Sequence, residues 1–248
     1  KESTTDTING TSFTPTVGTG ARMSPEGLQG YAFDTGVSGA ASRISWTNTQ
    51  SKMMFASSNY TMIFHLTPGV YDGATAQTIF ERGTLANGGL IITMESGKIK
   101  VTMGGITTPL TSNTVSPRDA EQPMMVAVIY DKHGDVPCKL FINGKLEDYS
   151  ITGTTDPSES VDSYMCNNAG NSQPYYGLIE EVILYNNTIH FPDDTGQHIL
   201  DGSRYQEFST DVQSLHAKLF VMDYHNIRGD GKDVLCSTPT ISWRPTIG

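Results

Sequence analysis

The chain has 248 residues and a net charge of -10, with a pI near 4.9, and this length suffices for one all-β domain with a full core. The acidic balance argues against binding to nucleic acid or to an anionic membrane surface, because both require clustered Lys and Arg. The longest apolar run, MMVAVIY at residues 124–130, is too short to span a bilayer. We therefore predict a globular protein with no nucleic-acid partner and no membrane insertion.

The chain begins with a Thr-, Gly- and Ser-rich segment, residues 1–28, whose lack of hydrophobic period predicts an extended N-terminal arm. Short β-type runs separated by turn residues continue from there to residue 190. The run YTMIFHL at residues 60–66 alternates between an apolar face and a face that carries His65. We interpret His65 as a half-buried imidazole in a sheet and not as a base.

Two hairpins and a central strand follow. The first hairpin covers residues 89–105 and turns at residues 95–97, where Gly97 is free to take a positive φ. Residues 124–131 are apolar on both faces, as a strand inside a two-layer stack requires. The second hairpin covers residues 138–151 and turns at Asn143-Gly144, a sequence typical of two-residue hairpin loops.

The remainder of the chain consists of a polar loop, one further strand and a tail. The loop covers residues 153–174, and the strand YYGLIEEVILYNNT follows at residues 175–188. The tail, residues 191–248, contains two β-type runs at residues 216–227 and 239–247. Because so short a segment buries too little surface alone, we predict a C-terminal extension packed on the preceding strands or on a neighbouring subunit.

Three phrases of the sequence occur in an order typical of one family. They are VAVIYD at residues 126–131, KLFINGKL at residues 139–146 and GLIEEVILYNNTI at residues 177–189. With the earlier runs they make residues 30–190 resemble the concanavalin A-like jelly rolls, specifically the laminin-G-like domains. The resemblance implies an all-β, two-sheet antiparallel sandwich, here residues 29–190, and little about function, since members bind glycans, bind proteins, act as spacers or hydrolyse polysaccharides.

Catalysis by the adjacent carboxylates Glu180 and Glu181 is not expected. Glycoside hydrolysis needs two carboxylates on one substrate, and neighbours on a regular strand point to opposite faces. The E-x-D-x-x-E pattern of glucanases with this fold is missing, and so is the G-x-S-x-G nucleophile elbow. We therefore predict that the protein is not an enzyme.

Calcium is the cofactor that the resemblance implies. Many laminin-G-like domains hold one calcium ion beside this strand through the Asp of a DEV phrase, and this chain has Glu180 at that position. Asp34, in an early strand that would pair nearby, is a candidate second ligand. Residues 131–135 and 193–194 offer alternative acidic turns.

A glycan-binding surface is predicted on the loop NNAGNSQPYY, because sugar sites combine an aromatic platform with amide groups and backbone donors. The candidate ligand-binding residues are Asn167, Asn168, Asn171, Tyr175 and Tyr176 of this loop, together with Trp46, which lies elsewhere in the sequence. Three N-x-[ST] triplets, at Asn9, Asn59 and Asn186, are candidate glycosylation sites. The three cysteines, Cys138, Cys166 and Cys236, permit one disulfide at most.

The strand at residues 177–189 also indicates that another segment covers its outer face. Alternation puts Glu180, Val182 and Leu184 on one face, and Glu181 with the apolar Ile183 and Tyr185 on the other. The outer face of a free-standing sandwich is usually polar. The apolar residues at positions 219–222 of the tail could cover this face within one chain or between two chains.

Two functions of different classes remain open from the sequence. The first is a binding or adhesion module on an extracellular, cell or virion surface, with a glycan or a protein as ligand. The second is a structural protein of a virion, surface layer or filament, whose tails link identical subunits. The two differ in their predicted mass in solution, because an assembled particle is far heavier than one chain.

Overall fold

The computed structural model describes residues 2–3, 6–8, 11–13, 16–18, 22–27, 30–34, 43–48, 59–69, 75–115, 122–132, 134, 136–152, 161–185, 241–243 and 246–247. Within these residues the elements are strands and one short 3-10 helix, η1 at Leu85–Asn87, and Asn48 is a single helical residue. The strands are β1 (Glu2–Ser3), β2 (Asp6–Ile8), β3 (Thr11–Phe13), β4 (Thr16–Val17), β5 (Arg22–Gly27), β6 (Gly30–Asp34), β7 (Ile44–Trp46), β8 (Asn59–Pro68), β9 (Gln77–Arg82), β10 (Leu90–Glu95), β11 (Lys98–Met103), β12 (Leu110–Val115), β13 (Met124–Asp131), β14 (Cys138–Ile142), β15 (Lys145–Ser150), β16 (Ser163–Met165), β17 (Gly177–Tyr185), β18 (Ile241–Trp243) and β19 (Thr246–Ile247).

Two large antiparallel sheets form the body of the protein. The seven-stranded sheet has the order β12-β11-β10-β9-β16-β7-β4. The eight-stranded sheet has the order β15-β14-β13-β8-β17-β6-β5, and β18 pairs with β17 beside this path. The predicted all-β, two-sheet sandwich is confirmed. No helix among the described residues is long and apolar enough to cross a membrane.

Both predicted hairpins form with tight two-residue turns. In the first, Glu95 of β10 pairs with Lys98 of β11, and the turn residues Ser96 and Gly97 have φ values of 51° and 76°. In the second, Ile142 pairs with Lys145 across Asn143-Gly144, whose φ values are 52° and 80°. Two consecutive positive φ angles match the right-handed twist of the strands they join.

The main core lies between the two sheets. Alternate residues of β8 and β13 on one side meet alternate residues of β10 and β11 on the other. The central strands are buried on both faces, as predicted for residues 124–131: every residue of β13 except its last is buried. His65 on β8 is 3% exposed, so the imidazole is buried more completely than predicted.

The outer face of the eight-stranded sheet is apolar and buried as well. We call it the covered face; it is formed by Ile63, Met125, Ala127, Ile129, Phe141, Ile183 and Tyr185. Ile183 is 1% exposed and Tyr185 is fully buried, which confirms the prediction that this side of β17 is covered. The proposed covering residues 219–222 lie outside the described residues.

Strand β17 contains an irregularity at Glu180. Ile179 pairs with Leu66 of β8 and Glu181 pairs with His65, so Glu180 is an extra residue in the ladder. Because of this bulge, Ile179 and Val182 both belong to the main core, and the strict alternation assumed from the sequence fails between them. The predicted faces of Val182, Ile183, Leu184 and Tyr185 are confirmed, whereas the side chain of Glu181 is not described.

The two sheets meet at one edge through a carboxylate seam, defined by Glu147 and Asp148 of β15. Glu147 accepts hydrogen bonds from the backbone N–H groups of Asn113 and Thr114 at 2.6 and 2.7 Å and from the Thr114 hydroxyl at 2.8 Å. Asp148 accepts one from the N–H of Thr111 at 2.8 Å. Side chains of one edge strand therefore satisfy backbone donors of the other, β12.

Short strands near both ends of the chain join this framework. Strand β4 pairs with β7 and β5 pairs with β6, so parts of the predicted N-terminal arm extend the two sheets. Near the other terminus, β18 pairs with Val182–Leu184 of β17, and β19 pairs with β1. The predicted boundaries, residues 1–28, 29–190 and 191–248, remain predictions.

Candidate functional site

The outer face of the seven-stranded sheet is polar and partly exposed, in contrast to the covered face. A row of paired residues crosses it, with one residue from each of five neighbouring strands. The flanking residues of each strand point into the core, which turns the row outward. All five row residues are half-buried: Ser45, Tyr164, Glu81, Ile91 and Thr102.

Tyr164 is the aromatic residue of this row, and charged groups surround it. The Arg43 guanidinium carbon lies 4.7 Å from the centre of the Tyr164 ring, a cation–π geometry. The Tyr164 hydroxyl donates to a carboxylate oxygen of the exposed Asp162 at 3.3 Å. We call Arg43, Ser45, Glu81, Asp162 and Tyr164 the Tyr164 surface.

Hydrogen bonds to the backbone carbonyl and N–H of Ala169 hold the tip of the loop between β16 and β17 against this surface. Arg43 donates a hydrogen bond to the carbonyl oxygen of Ala169 at 2.7 Å. The backbone N–H of Ala169 donates to the carboxylate of Glu81. Burial raises the pKa of Glu81, while the Ala169 hydrogen bond and the charge of Arg43 oppose the rise.

Internal hydrogen bonds give the loop a fixed shape. Asn167 is fully buried, and its side-chain oxygen accepts from the N–H groups of Asn168 and Gln173 at 2.9 and 3.0 Å. The Asn168 side chain bonds Ser172 through both its oxygen and its nitrogen. Asn171 has a φ of 56°, a left-handed conformation that Asn tolerates better than most residues.

A second set of hydrogen bonds connects the end of the loop to β9. Thr78 donates its N–H to the Gln173 carbonyl and its hydroxyl to the Gln173 side chain, each at 2.9 Å. The Gln77 side chain accepts the N–H of Tyr176 at 3.0 Å. The loop is therefore preorganised on the sheet, with its tip at Ala169 and Gly170 exposed.

The predicted ligand-binding residues divide into two groups. Trp46 is 2% exposed, and Asn167 and Tyr175 are fully buried, so these three do not form an exposed platform. Trp46 and Tyr175 belong to the main core, and Asn167 holds the loop. Asn168, Asn171 and Tyr176 are half-buried, and their role in ligand binding remains a prediction.

The predicted calcium ligands lie on neighbouring strands. The backbone of Asp34 on β6 pairs with Leu178 of β17, two residues before Glu180. Glu180 is 6% exposed, and its Oε2 atom is buried with no hydrogen-bond partner, an environment that a cation would satisfy. The side chain of Asp34 is not described, and no cluster of three or more His, Cys, Asp or Glu residues occurs in the described parts of the chain.

Of the three candidate glycosylation sites, the structure describes one. Asn59 begins β8 and is half-buried, and its side-chain oxygen accepts the N–H of Lys132 at 3.2 Å. Asn9 and Asn186 lie outside the described residues. Glycosylation at all three positions remains a prediction.

Sequence reasoning did not identify Arg43, Glu81 or Tyr164 as candidate site residues. Arg43 and Glu81 lie in short runs that were correctly predicted as strands, so alternation could have turned them outward. Tyr164 lies on β16 (Ser163–Met165), inside residues 153–174, so the prediction of a continuous loop there is wrong. The missing information was the pairing of β16 with β9 and β7, which brings together residues separated by about 40 to 120 positions in the sequence.

Three solved structures that resemble this chain are described as binding domains. The binding domain of botulinum neurotoxin serotype G matches with a TM-score of 0.55 and 15% identity, over 88% of this chain and 49% of that structure. The binding domain of botulinum neurotoxin DC in complex with SialylT has a TM-score of 0.53 and 14% identity, over 85% and 51%. The binding domain of Paraclostridial Mosquitocidal Protein 1 has a TM-score of 0.52 and 12% identity, over 83% and 47%.

This chain spans about half the length of those structures, and likeness at such low identity shows the fold alone. No curated protein sequence matches the chain. A laminin-G family model, described as the concanavalin A-like lectin/glucanases superfamily, matches residues 38–190, which is more than half of the sequence. The chain, with its two packed antiparallel sheets, therefore belongs to the concanavalin A-like lectin/glucanases superfamily.

Proposed function

We propose that the protein is a non-catalytic glycan-binding module that acts outside the cell or on a cell or virion surface. The observation that carries the proposal is the Tyr164 surface. It combines a half-buried aromatic ring, carboxylate acceptors and guanidinium donors on the open face of the sandwich. Sugars are bound by stacking of their apolar C–H face on an aromatic ring and by hydrogen bonds from their hydroxyls to such groups.

The rigid loop beside Tyr164 adds to this proposal. Its tip, residues 168–172, offers amide, hydroxyl and backbone groups close to the ring, and Arg43 and Glu81 hold the tip in place. A preformed loop costs little ordering entropy when a ligand binds. In this proposal Asn168 and Asn171 contact the ligand directly, whereas Asn167 positions the loop.

A glycan array tests the proposal. We expect the chain to bind at least one class of oligosaccharide, and Tyr164→Ala to weaken that binding by about tenfold or more through loss of the stacking surface. The matched control is Tyr149→Ala, which removes a tyrosine that is 54% exposed on β15 and should leave binding unchanged. Binding that both variants retain would contradict the assignment of this surface.

A structural role in an assembly is the second candidate function. It is favoured by the pairing of β18, from the end of the chain, with the edge of β17, because the same pairing formed between two chains would link subunits. Light scattering tests this alternative: a particle much larger than the 26.9 kDa chain that binds no glycan would favour assembly over glycan binding.

Calcium binding is proposed separately, at Glu180 and Asp34. The buried, unpartnered oxygen of Glu180 supports it, and bound calcium would neutralise that carboxylate and tie β17 to β6. We expect calcium to raise the midpoint of thermal unfolding and Glu180→Gln to abolish the increase. Isothermal titration of EDTA-treated protein with calcium measures the affinity, and a titration without heat or saturation would exclude the site.

A further inference from the structure

The Tyr164 surface has a charge pattern that restricts its ligand, and the inference drawn from it rests on the proposed function. The cation on this surface is Arg43, and its charge is already engaged. Its guanidinium lies over the Tyr164 ring, donates to Ala169 and acts on the nearby Glu81 carboxylate. Asp162 and Glu81 add two negative charges, so the surface carries a net negative charge.

Of these two carboxylates, Asp162 is exposed and lies against the ring hydroxyl at 3.3 Å. An anionic ligand that approached Tyr164 would therefore be repelled by Asp162 and Glu81 over a distance of about 10 Å, roughly the Debye length in 0.1 M salt.

The hydroxyls of an uncharged sugar would not be repelled by these carboxylates. A carboxylate accepts hydrogen bonds only, so Asp162 fits a ligand whose hydroxyls donate. The outer guanidinium N–H groups of Arg43 can donate to a hydroxyl or ring oxygen while the group stays stacked on Tyr164. Donors and acceptors are both present around one aromatic ring, which matches the mixed hydrogen bonding of an uncharged sugar.

We infer that the Tyr164 surface takes an uncharged sugar residue and excludes sialylated, uronic and sulfated glycans. Asp162 is the residue that sets the selectivity, because it is exposed and bonded to the ring hydroxyl. Arg43 positions the loop through Ala169 and offers its outer N–H groups to the sugar.

The experiment compares uncharged gluco-, galacto- and manno-oligosaccharides with sialyllactose and heparin fragments, by titration of the full chain at low salt. We expect binding of an uncharged sugar that Tyr164→Ala abolishes, and no binding of the two anionic probes. Asp162→Lys should weaken the uncharged sugar and raise the affinity for sialyllactose by about fivefold or more. Tyr149→Ala is the control for loss of an exposed tyrosine elsewhere.

Each other outcome has a defined meaning. Binding of sialyllactose or heparin that Tyr164→Ala abolishes would overturn the selectivity and leave the proposed function intact. An unchanged preference in Asp162→Lys would overturn the role of Asp162. The absence of any binding that depends on Tyr164 would overturn the proposed function, and the inference with it. Circular dichroism of each variant verifies the fold, and Tyr164→Phe, which keeps the ring, provides a milder second substitution.

Discussion

The pKa of the Glu147 carboxyl depends on hydrogen bonds between the two sheets. Its side chain is fully buried, and burial alone would raise its pKa. The N–H and hydroxyl of Thr114, the N–H of Asn113 and the charge of Lys145 together lower that pKa instead. A charged carboxylate without direct exposure to water thus depends on donors from the opposite sheet.

We predict that Glu147→Gln lowers the free energy of unfolding at neutral pH by about 1–2 kcal/mol, because its hydrogen bonds lose the contribution of the charge. The matched control is Glu95→Gln, which removes a carboxylate paired with Lys100 at 2.8 Å but 38% exposed. Such a surface pair contributes roughly 0–1 kcal/mol. Urea denaturation of both variants measures the difference, and equal losses would contradict the prediction.

The same residue predicts a pH dependence. Because the pKa of Glu147 is lowered in the folded state, the unfolded chain binds more protons between the two pKa values. Its contribution to stability is therefore complete above the ordinary value of 4.5 and is lost as pH falls through the folded value. Thermal unfolding from pH 7 to pH 3 should show a smaller acid-induced decrease in Glu147→Gln than in the unsubstituted protein.

Two cysteines should be unreactive in the folded protein. Cys138 and Cys166 are free and fully buried; burial raises the pKa of Cys138 to about 12 and raises that of Cys166 as well. Since the thiolate is the reactive form, we expect iodoacetamide to modify neither thiol under native conditions. Mass spectrometry of Cys236→Ser should show no adduct before denaturation and two adducts after it. Rapid native labelling would contradict this burial.

At the scale of elements, local sequence determined the hairpins well and the loop poorly. Asn143-Gly144 and Gly97 mark turns through their own backbone preferences, so no distant contact was needed to predict them. The shape of the loop between β16 and β17 depends instead on Arg43, Glu81 and Thr78. These partners are remote in sequence, so the loop composition suggested a site but gave no sign that Tyr175 is buried in the main core.

The burial of polar side chains was likewise not predictable from local sequence. Arg82 is 1% exposed, and burial lowers its pKa while the neighbouring Tyr60 hydroxyl opposes the decrease. In the run TIFERG, both Glu81 and Arg82 are charged, and alternation alone gives no reason to turn Arg82 inward. Only the pairing of Arg82 with Leu90 and Ser163 assigns it to the inner face.

For the second hairpin we predict that Gly144→Ala lowers the free energy of unfolding by about 1–2 kcal/mol, because its φ of 80° is unfavourable for a residue with a Cβ. The control is Gly170→Ala, where an added Cβ would be 3.7 Å from its nearest neighbour, the Ser172 hydroxyl, and φ is not positive. Denaturant titration of both variants tests this difference. A larger loss in Gly170→Ala would contradict the role assigned to the turn.

At the scale of the molecule, strands from the two ends of the chain complete the fold. Strand β18 occupies the edge of β17 that β6 leaves open beyond Ile179, and β19 pairs with β1. Removal of residues 237–248 should therefore lower the thermal midpoint by about 4–8 °C, corresponding to roughly 2 kcal/mol of lost pairing. Calorimetry of this truncation and of one that removes residues 244–248 alone separates the contribution of β18 from that of β19.

The two broad faces of the sandwich differ in a way that composition did not reveal. The covered face buries residues such as Ile63 and Ile129, while the outer face of the other sheet carries the half-buried Tyr164 and Glu81. The sequence predicted the first property from Ile183 and Tyr185 alone, because two apolar residues on an outer position are unusual. The outward position of Tyr164 and Glu81 could not be predicted without knowing which strands are neighbours.

The carboxylate seam also protects the β12 edge against pairing with a strand from another molecule. An unprotected edge strand can recruit a strand from another molecule, but on β12 the N–H groups of Thr111, Asn113 and Thr114 are already occupied. We therefore expect Glu147→Gln to make the β12 edge available to a strand from another molecule, which a faster rise in light scattering than in the unsubstituted protein would show.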